Sequence, residues 1–231
     1  MATAASNKGM KQTKPSVLEL RSLSPVFDRL EAGVKWVPAG LIVVRAACGP
    51  VLLVAAAVGS SPWLLAGLVT IAFVSDVFDG VIARRLGVST EGLRRADTIV
   101  DAAFYILATL ALLLHAPSVI EAHIVGVAVV VSLELGRLVV ERMRYGRLAS
   151  YHMWSAKAWG VTLWLGFCEA FLTGRPGPFM QAAVAMGIVA DCEGLAASLV
   201  LSTWRHDIRT IWQAVQLERA SSESRGGRTR G

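Results

Sequence analysis

Charge is what this chain has little of. Only 17% of its 231 residues are Asp, Glu, Lys or Arg, while 54% are hydrophobic and mean hydropathy is +0.54. Water-soluble domains carry about 25% charge, so a soluble domain of ordinary composition is excluded. Cysteine is scarce too. Cys48, Cys168 and Cys192 lie in apolar runs without CxxC spacing, and three cannot all pair internally. They read as buried thiols rather than as ligands or a disulfide framework. There is no Walker loop, no dinucleotide-binding glycine pattern, no zinc spacing and no internal repeat. Alternating barrel strands are absent, which leaves helices to cross a membrane. Residues 1–35 are mostly polar and the apolar run after them is longer than a signal-peptide core, so no cleaved leader is expected.

What is present is a set of six apolar segments, at 37–59, 62–82, 98–117, 122–141, 156–174 and 178–203. Each has about the 20 residues a spanning helix needs. The expected fold is therefore all-α: a polytopic membrane protein with six transmembrane helices. The basic residues give the topology. Lys8, Lys11, Lys14, Arg21, Arg29 and Lys35 precede the first segment; the turn GSSP has no Lys or Arg. Arg84, Arg85, Arg94 and Arg95 fill the next loop, and HAPSVIEAH again has none. Arg142, Arg144, Arg147 and Lys157 follow, then Arg175 alone in TGRPGP, then six arginines beyond the last segment. Rich and poor connections alternate, and the positive-inside rule places both termini in the cytoplasm. A net charge of +6 and a pI near 9.7 then reflect anionic lipid headgroups rather than nucleic acid. Three regions are expected: a cytoplasmic leader over 1–35, a membrane domain over 36–204 and a basic cytoplasmic tail over 205–231. Residues 17–35 read equally as an interfacial amphipathic helix or a solvated leader, and SSESRGGRTRG reads as disordered.

Four of the seven aspartates, Asp76, Asp79, Asp97 and Asp101, fall within 26 residues at the edge of this apolar protein. Asp76, Asp79, Gly80 and Ala83 are spaced i, i+3, i+4 and i+7, one face of a helix, and Asp97 and Asp101 are spaced i, i+4 at the start of the next. A short connection makes the two helices antiparallel neighbours. Four ionised carboxylates repel strongly at low dielectric. Two divalent cations cancel them, and an all-oxygen set selects hard ions such as Mg2+ or Mn2+. Metal pairs about 4 Å apart clamp phosphates in displacement reactions. Gly80 and Ala83 are small enough to admit a ligand to the backbone, and Arg84 and Arg85 are placed to meet phosphate oxygens. The arrangement describes a diphosphate site. Aspartates paired only with nearby arginines are the weaker explanation for four at this spacing.

Asp76-x2-Asp79-Gly80-x2-Ala83-Arg84 followed by Asp97-x3-Asp101 resembles the signature of the CDP-alcohol phosphatidyltransferases, which include the phosphatidylglycerophosphate and phosphatidylinositol-phosphate synthases. The signature's later glycine would fall at Leu93, with Gly92 one place early; the aspartates keep their register. The resemblance implies metal ligation by Asp76, Asp79 and Asp97, and by Asp101, which also serves as the catalytic base. It implies substrate contacts at Gly80, Ala83 and Arg84, helped by the hydroxyl of Thr90 in the loop that follows. It further implies a homodimer, expected in a bacterial inner (plasma) membrane, and the positive-inside rule puts its active site on the cytoplasmic side. The implied reaction moves a phosphatidyl group from CDP-diacylglycerol to a small polar alcohol and releases CMP. Transfer of a head group from a CDP-alcohol to a lipid alcohol is the alternative within the family. A cation transporter is the alternative outside it, disfavoured because transporter carboxylates sit near the midplane.

Other polar residues are candidates of lower rank. Arg45 is an arginine inside the first span, which costs several kcal/mol unless paired. Lys157 is expected to bind substrate, against the alternative of a snorkelling lysine, and His152 lies beside it. Glu134 and Arg137 are spaced for an internal ion pair. Asp191 and Glu193 face a headgroup or a dimer mate, and Glu169 stands at the opposite end of the fifth segment. Arg137, Arg142 and Lys157 together lean toward a phosphorylated acceptor such as glycerol 3-phosphate.

Overall fold

A computed structural model describes residues 36–87, 90–147, 151, 153–204 and 208–228, with side chains at all of these except Arg84 and 221–228. The leader, its stretch 17–35 and His152 lie outside the described residues. The described residues form seven helices: α1 (Val37–Ala57), α2 (Pro62–Leu86), α3 (Glu91–His115), α4 (Pro117–Tyr145), α5 (Trp154–Thr173), α6 (Pro178–Val200) and α7 (Ile211–Arg228). No strand occurs among them.

Five of the helices, α1, α2, α3, α4 and α6, are long and apolar enough to cross a membrane, the composition of an integral membrane protein. The sixth expected span, α5, has 20 residues. Its Lys157, Glu169 and three tryptophans make it less apolar than the others. The outward faces agree with a lipid setting: Ile124, Val125, Val131, Leu135, Val139 and Met143 of α4 are all exposed.

Helix starts follow the local chemistry. Prolines occupy the first turns of α1, α4 and α6, where their missing N–H costs nothing. α3 starts at Glu91, ahead of its apolar stretch, because Thr90 caps it by accepting a hydrogen bond from the Leu93 amide at 3.2 Å. The start of α6 is held from a distance: Glu169 of α5 accepts from the amides of Phe179 (2.9 Å) and Met180 (3.3 Å). Gly177 makes room, since a Cβ there would collide with the Glu169 carboxyl.

The core lies among α1, α2, α3 and α5, with Leu52, Leu65, Val69, Ala108, Leu112 and Phe171 buried. Close approach depends on glycine. A Cβ on Gly49 would come within 2.8 Å of Leu107, and one on Gly166 within 3.0 Å of the Met180 Cα. The α2–α5 contact is fixed by Phe73 stacked on Trp164 at 4.9 Å and by the Trp164 indole donating to Thr70 (3.1 Å). α4 packs chiefly on α6, with Gly126 against Val184 and Gly194 under the Arg137 stem.

Helical backbone of α7 continues to Arg228, into the segment 221–231 whose composition reads as disordered. Thr210 accepts from the Gln213 amide (3.2 Å), and the Gln213 side chain accepts from Arg209 (2.9 Å). Ile208 and Ala214 pack against Met153, Ala197 and Leu201. Apolar burial and a capped start account for the first turns of α7.

Candidate active site

α2 runs toward the end of the bundle at which α3 begins, and the four aspartates meet there. Asp76, Asp97 and Asp101 each offer a carboxylate oxygen, and these oxygens lie within 4.8 Å of one another. Asp79 is set deeper: its side chain is 4% exposed, against 43%, 33% and 34% for Asp76, Asp97 and Asp101. One wall of the cluster is thus buried and the other three carboxylates are open.

Arg45 of α1 stands at the centre. Its side chain is 2% exposed. Nη1 lies 3.2 Å from Asp76, donates to Asp97 at 2.8 Å and donates to Asp101; Nη2 donates to Asp79. Gly49, one turn further along α1, explains the reach. It lets α1 close on α3 at Leu107 and Phe104, and Phe104 is one turn beyond Asp101. Arg45 was only a candidate from sequence; the signal that marks it is its position inside an apolar helix.

The donor set is all oxygen, and one guanidinium leaves three of four carboxylate charges uncompensated. Those features fit hard divalent cations. Beneath the carboxylates a pocket carries Arg45, Asp76 and Asp101 on its polar side and Phe73, Phe104, Tyr105 and Trp164 on its apolar side.

Other expected site residues take varied places. Gly80 and Ala83 lie on α2 beyond Asp79, with Ala83 buried. Arg84 lies on the same helix. Thr90 is the cap of α3. Lys157 is exposed, its Nζ 4.6 Å over the Trp154 ring.

Glu134, Arg137, Glu141 and Asp191 form a second cluster, in the α4–α6 seam. Arg137 donates to both oxygens of Glu134 at 2.7 Å and lies 3.5 Å from Glu141. Asp191 is buried beside Glu134 and Arg137, and its Oδ2 has no hydrogen-bond partner. Ser198 donates to Glu141 (3.0 Å) and lies 3.2 Å from the Tyr151 hydroxyl. Burial pushes the Tyr151 phenol above its ordinary value, so it stays neutral there. Glu193 joins helix ends instead: it accepts from Ser155 at the start of α5 and from the Ile211 amide at the start of α7 (3.0 Å).

A family model described as CDP-alcohol phosphatidyltransferase matches residues 35–205. No curated protein and no solved structure matches the chain.

Proposed function

The chain belongs to the CDP-alcohol phosphatidyltransferase family, transferases for substituted phosphate groups that act in phospholipid head-group transfer and generally depend on divalent metal, and from that premise we propose that it transfers a phosphatidyl group from CDP-diacylglycerol to a small polar alcohol. The observation that carries this reading is the convergence of the Asp76, Asp97 and Asp101 carboxylates beside the small residues Gly80 and Ala83. The rival cation transporter has less support. What weighs against it is the family match over residues 35–205, since Asp76 lies only two residues past the middle of α2 and depth does not separate the two readings.

In this reading six helices cross the membrane, α5 included, with both termini and the aspartates on the cytoplasmic side. The alternating basic loops support that orientation. The protein works as a homodimer in a bacterial plasma membrane, an expectation that rests on family resemblance. Asp76, Asp79 and Asp97, with Asp101, hold Mg2+ or Mn2+. Two such ions, when bound, neutralise the diphosphate and stabilise charge on the leaving CMP. Gly80, only partly buried, leaves the α2 backbone open to the nucleotide, and Ala83 keeps the same face small. Arg84 supplies a cation for phosphate oxygens. Thr90 sets the start of α3 and so the heights of Asp97 and Asp101.

Asp101 receives the proton of the acceptor hydroxyl as its oxygen bonds to the β-phosphorus and the bond to CMP breaks. Its carboxylate is one-third exposed and borders the pocket, features it shares with Asp76, so the assignment of the base rests on the family resemblance. Lys157 serves the acceptor or donor phosphate from the start of α5. The lean toward a phosphorylated acceptor weakens, because the guanidinium of Arg137 is engaged by Glu134. Glycerol 3-phosphate remains one acceptor to test beside uncharged alcohols.

The test is CMP release. Purified protein with CDP-diacylglycerol, Mn2+ and a panel of alcohols is expected to release CMP with at least one acceptor and to stop on chelation. Release only with CDP-alcohols and diacylglycerol would establish the reverse head-group transfer. Silence in both arms sinks the transferase reading.

A further inference from the structure

Arg45 spends its guanidinium on the oxygens that a divalent cation needs. Its two terminal nitrogens reach all four aspartates, while its buried Nε–H has no acceptor. A buried donor without a partner is costly. The side chain is therefore arranged for the carboxylates at the expense of its own hydrogen bonding. The placement is also one-sided. Arg45 is buried against Asp79 at the back of the cluster, and Asp76, Asp97 and Asp101 open at the front. A cation arriving at the front meets oxygens already shared with a fixed positive charge a few ångströms away.

We propose that Arg45 is the resident counter-ion of the aspartate cluster: it keeps the carboxylates of α2 and α3 assembled on α1 and lowers their affinity for divalent cations, so that bound metal stays exchangeable. The inference rests on the metal-dependent reading above. Without Arg45, four carboxylates would face one another uncompensated, which loosens the metal-free protein. With it, the site is held together and binds cations less tightly than four bare carboxylates would.

Mn2+ binding to the full chain in lipid nanodiscs, without substrate at pH 8, tests the proposal. Free Mn2+ is read by its paramagnetic resonance signal. Arg45→Met retains the length of the side chain and removes the charge. It is expected to bind Mn2+ about tenfold more tightly or better, since like charges this close interact strongly at a protein's effective dielectric. It should also melt below wild type without Mn2+ and regain most of the difference at saturating Mn2+. Arg45→Lys, whose compact ammonium reaches fewer oxygens, should fall between. A folded Arg45→Met protein with affinity equal to or weaker than wild type overturns the proposal. If that variant does not fold, Arg45→Lys decides by the same comparison. Wild type that takes up no more Mn2+ than an Asp97→Asn, Asp101→Asn double variant overturns the metal site itself and the proposal with it.

Discussion

The four aspartates share a motif but not an environment. Asp79 is closed off behind Arg45, and Asp101 is reachable from the pocket. Asp76 is as open and borders the same pocket, so the choice of Asp101 as base rests on its place in the motif. Asp101→Asn is expected to lower CMP release by about a hundredfold or more while donor binding and folding persist. Turnover at the wild-type rate would show that the proton goes elsewhere. Spacing alone made the cluster legible, because i, i+3 and i, i+4 repeats report helix faces directly. The Glu134–Arg137 pair was legible for the same reason. The link from Arg45 to all four carboxylates was not, since it depends on α1 approaching α3 at Gly49, a contact between residues far apart in the chain.

At the scale of the element, hydropathy located each apolar stretch and misplaced several helix ends. It set the third helix near 98, whereas α3 begins at Glu91. An exposed first turn carries no apolar signal, but its Thr90 cap does. Glu193 reads from sequence as facing a headgroup or a dimer mate, and Glu169 reads only as a charge at the far end of its segment, yet both bind the starts of other helices. Such long-range caps leave no local trace. Glu169→Gln retains an oxygen but loses the charge facing the α6 N-terminus, and should cost about 1 kcal/mol, measured by urea or thermal unfolding in detergent. Gly166→Ala should destabilise more than a surface substitution, because the added methyl meets the Met180 backbone at 3.0 Å. Equal melting of this variant and wild type would mean that α5 and α6 have room to separate.

Across the whole molecule, two polar clusters sit at similar heights. Asp191 lies nine residues before the end of α6 at Val200, matching the heights of Asp76 and Asp79 in α2. One cluster unites α1, α2 and α3; the other unites α4 and α6. α5 is packed against both α2 and α6 and joins the two halves. α7 closes the same end through Glu193 and the apolar residues around Leu201. Removing residues 208–231 should expose that apolar patch and lower the melting temperature by several degrees. CMP release measured well below the transition should persist, because among the described residues the ion pairs of the four site aspartates run to Arg45 of α1. Complete loss of activity in a truncated chain that is still folded would tie the tail to the site.

Arg45 also bears on how the protein enters its membrane. It is the ninth residue of α1, and an arginine within a span disfavours insertion by roughly 2.5–3.5 kcal/mol near the helix centre. α1 is a poor membrane segment by itself. α2 brings two carboxylates and α3 brings two more, and only their arrival gives the guanidinium its partners. The first three helices are thus obliged to settle together, and the residues that shape the site also set the order in which the chain becomes a membrane protein.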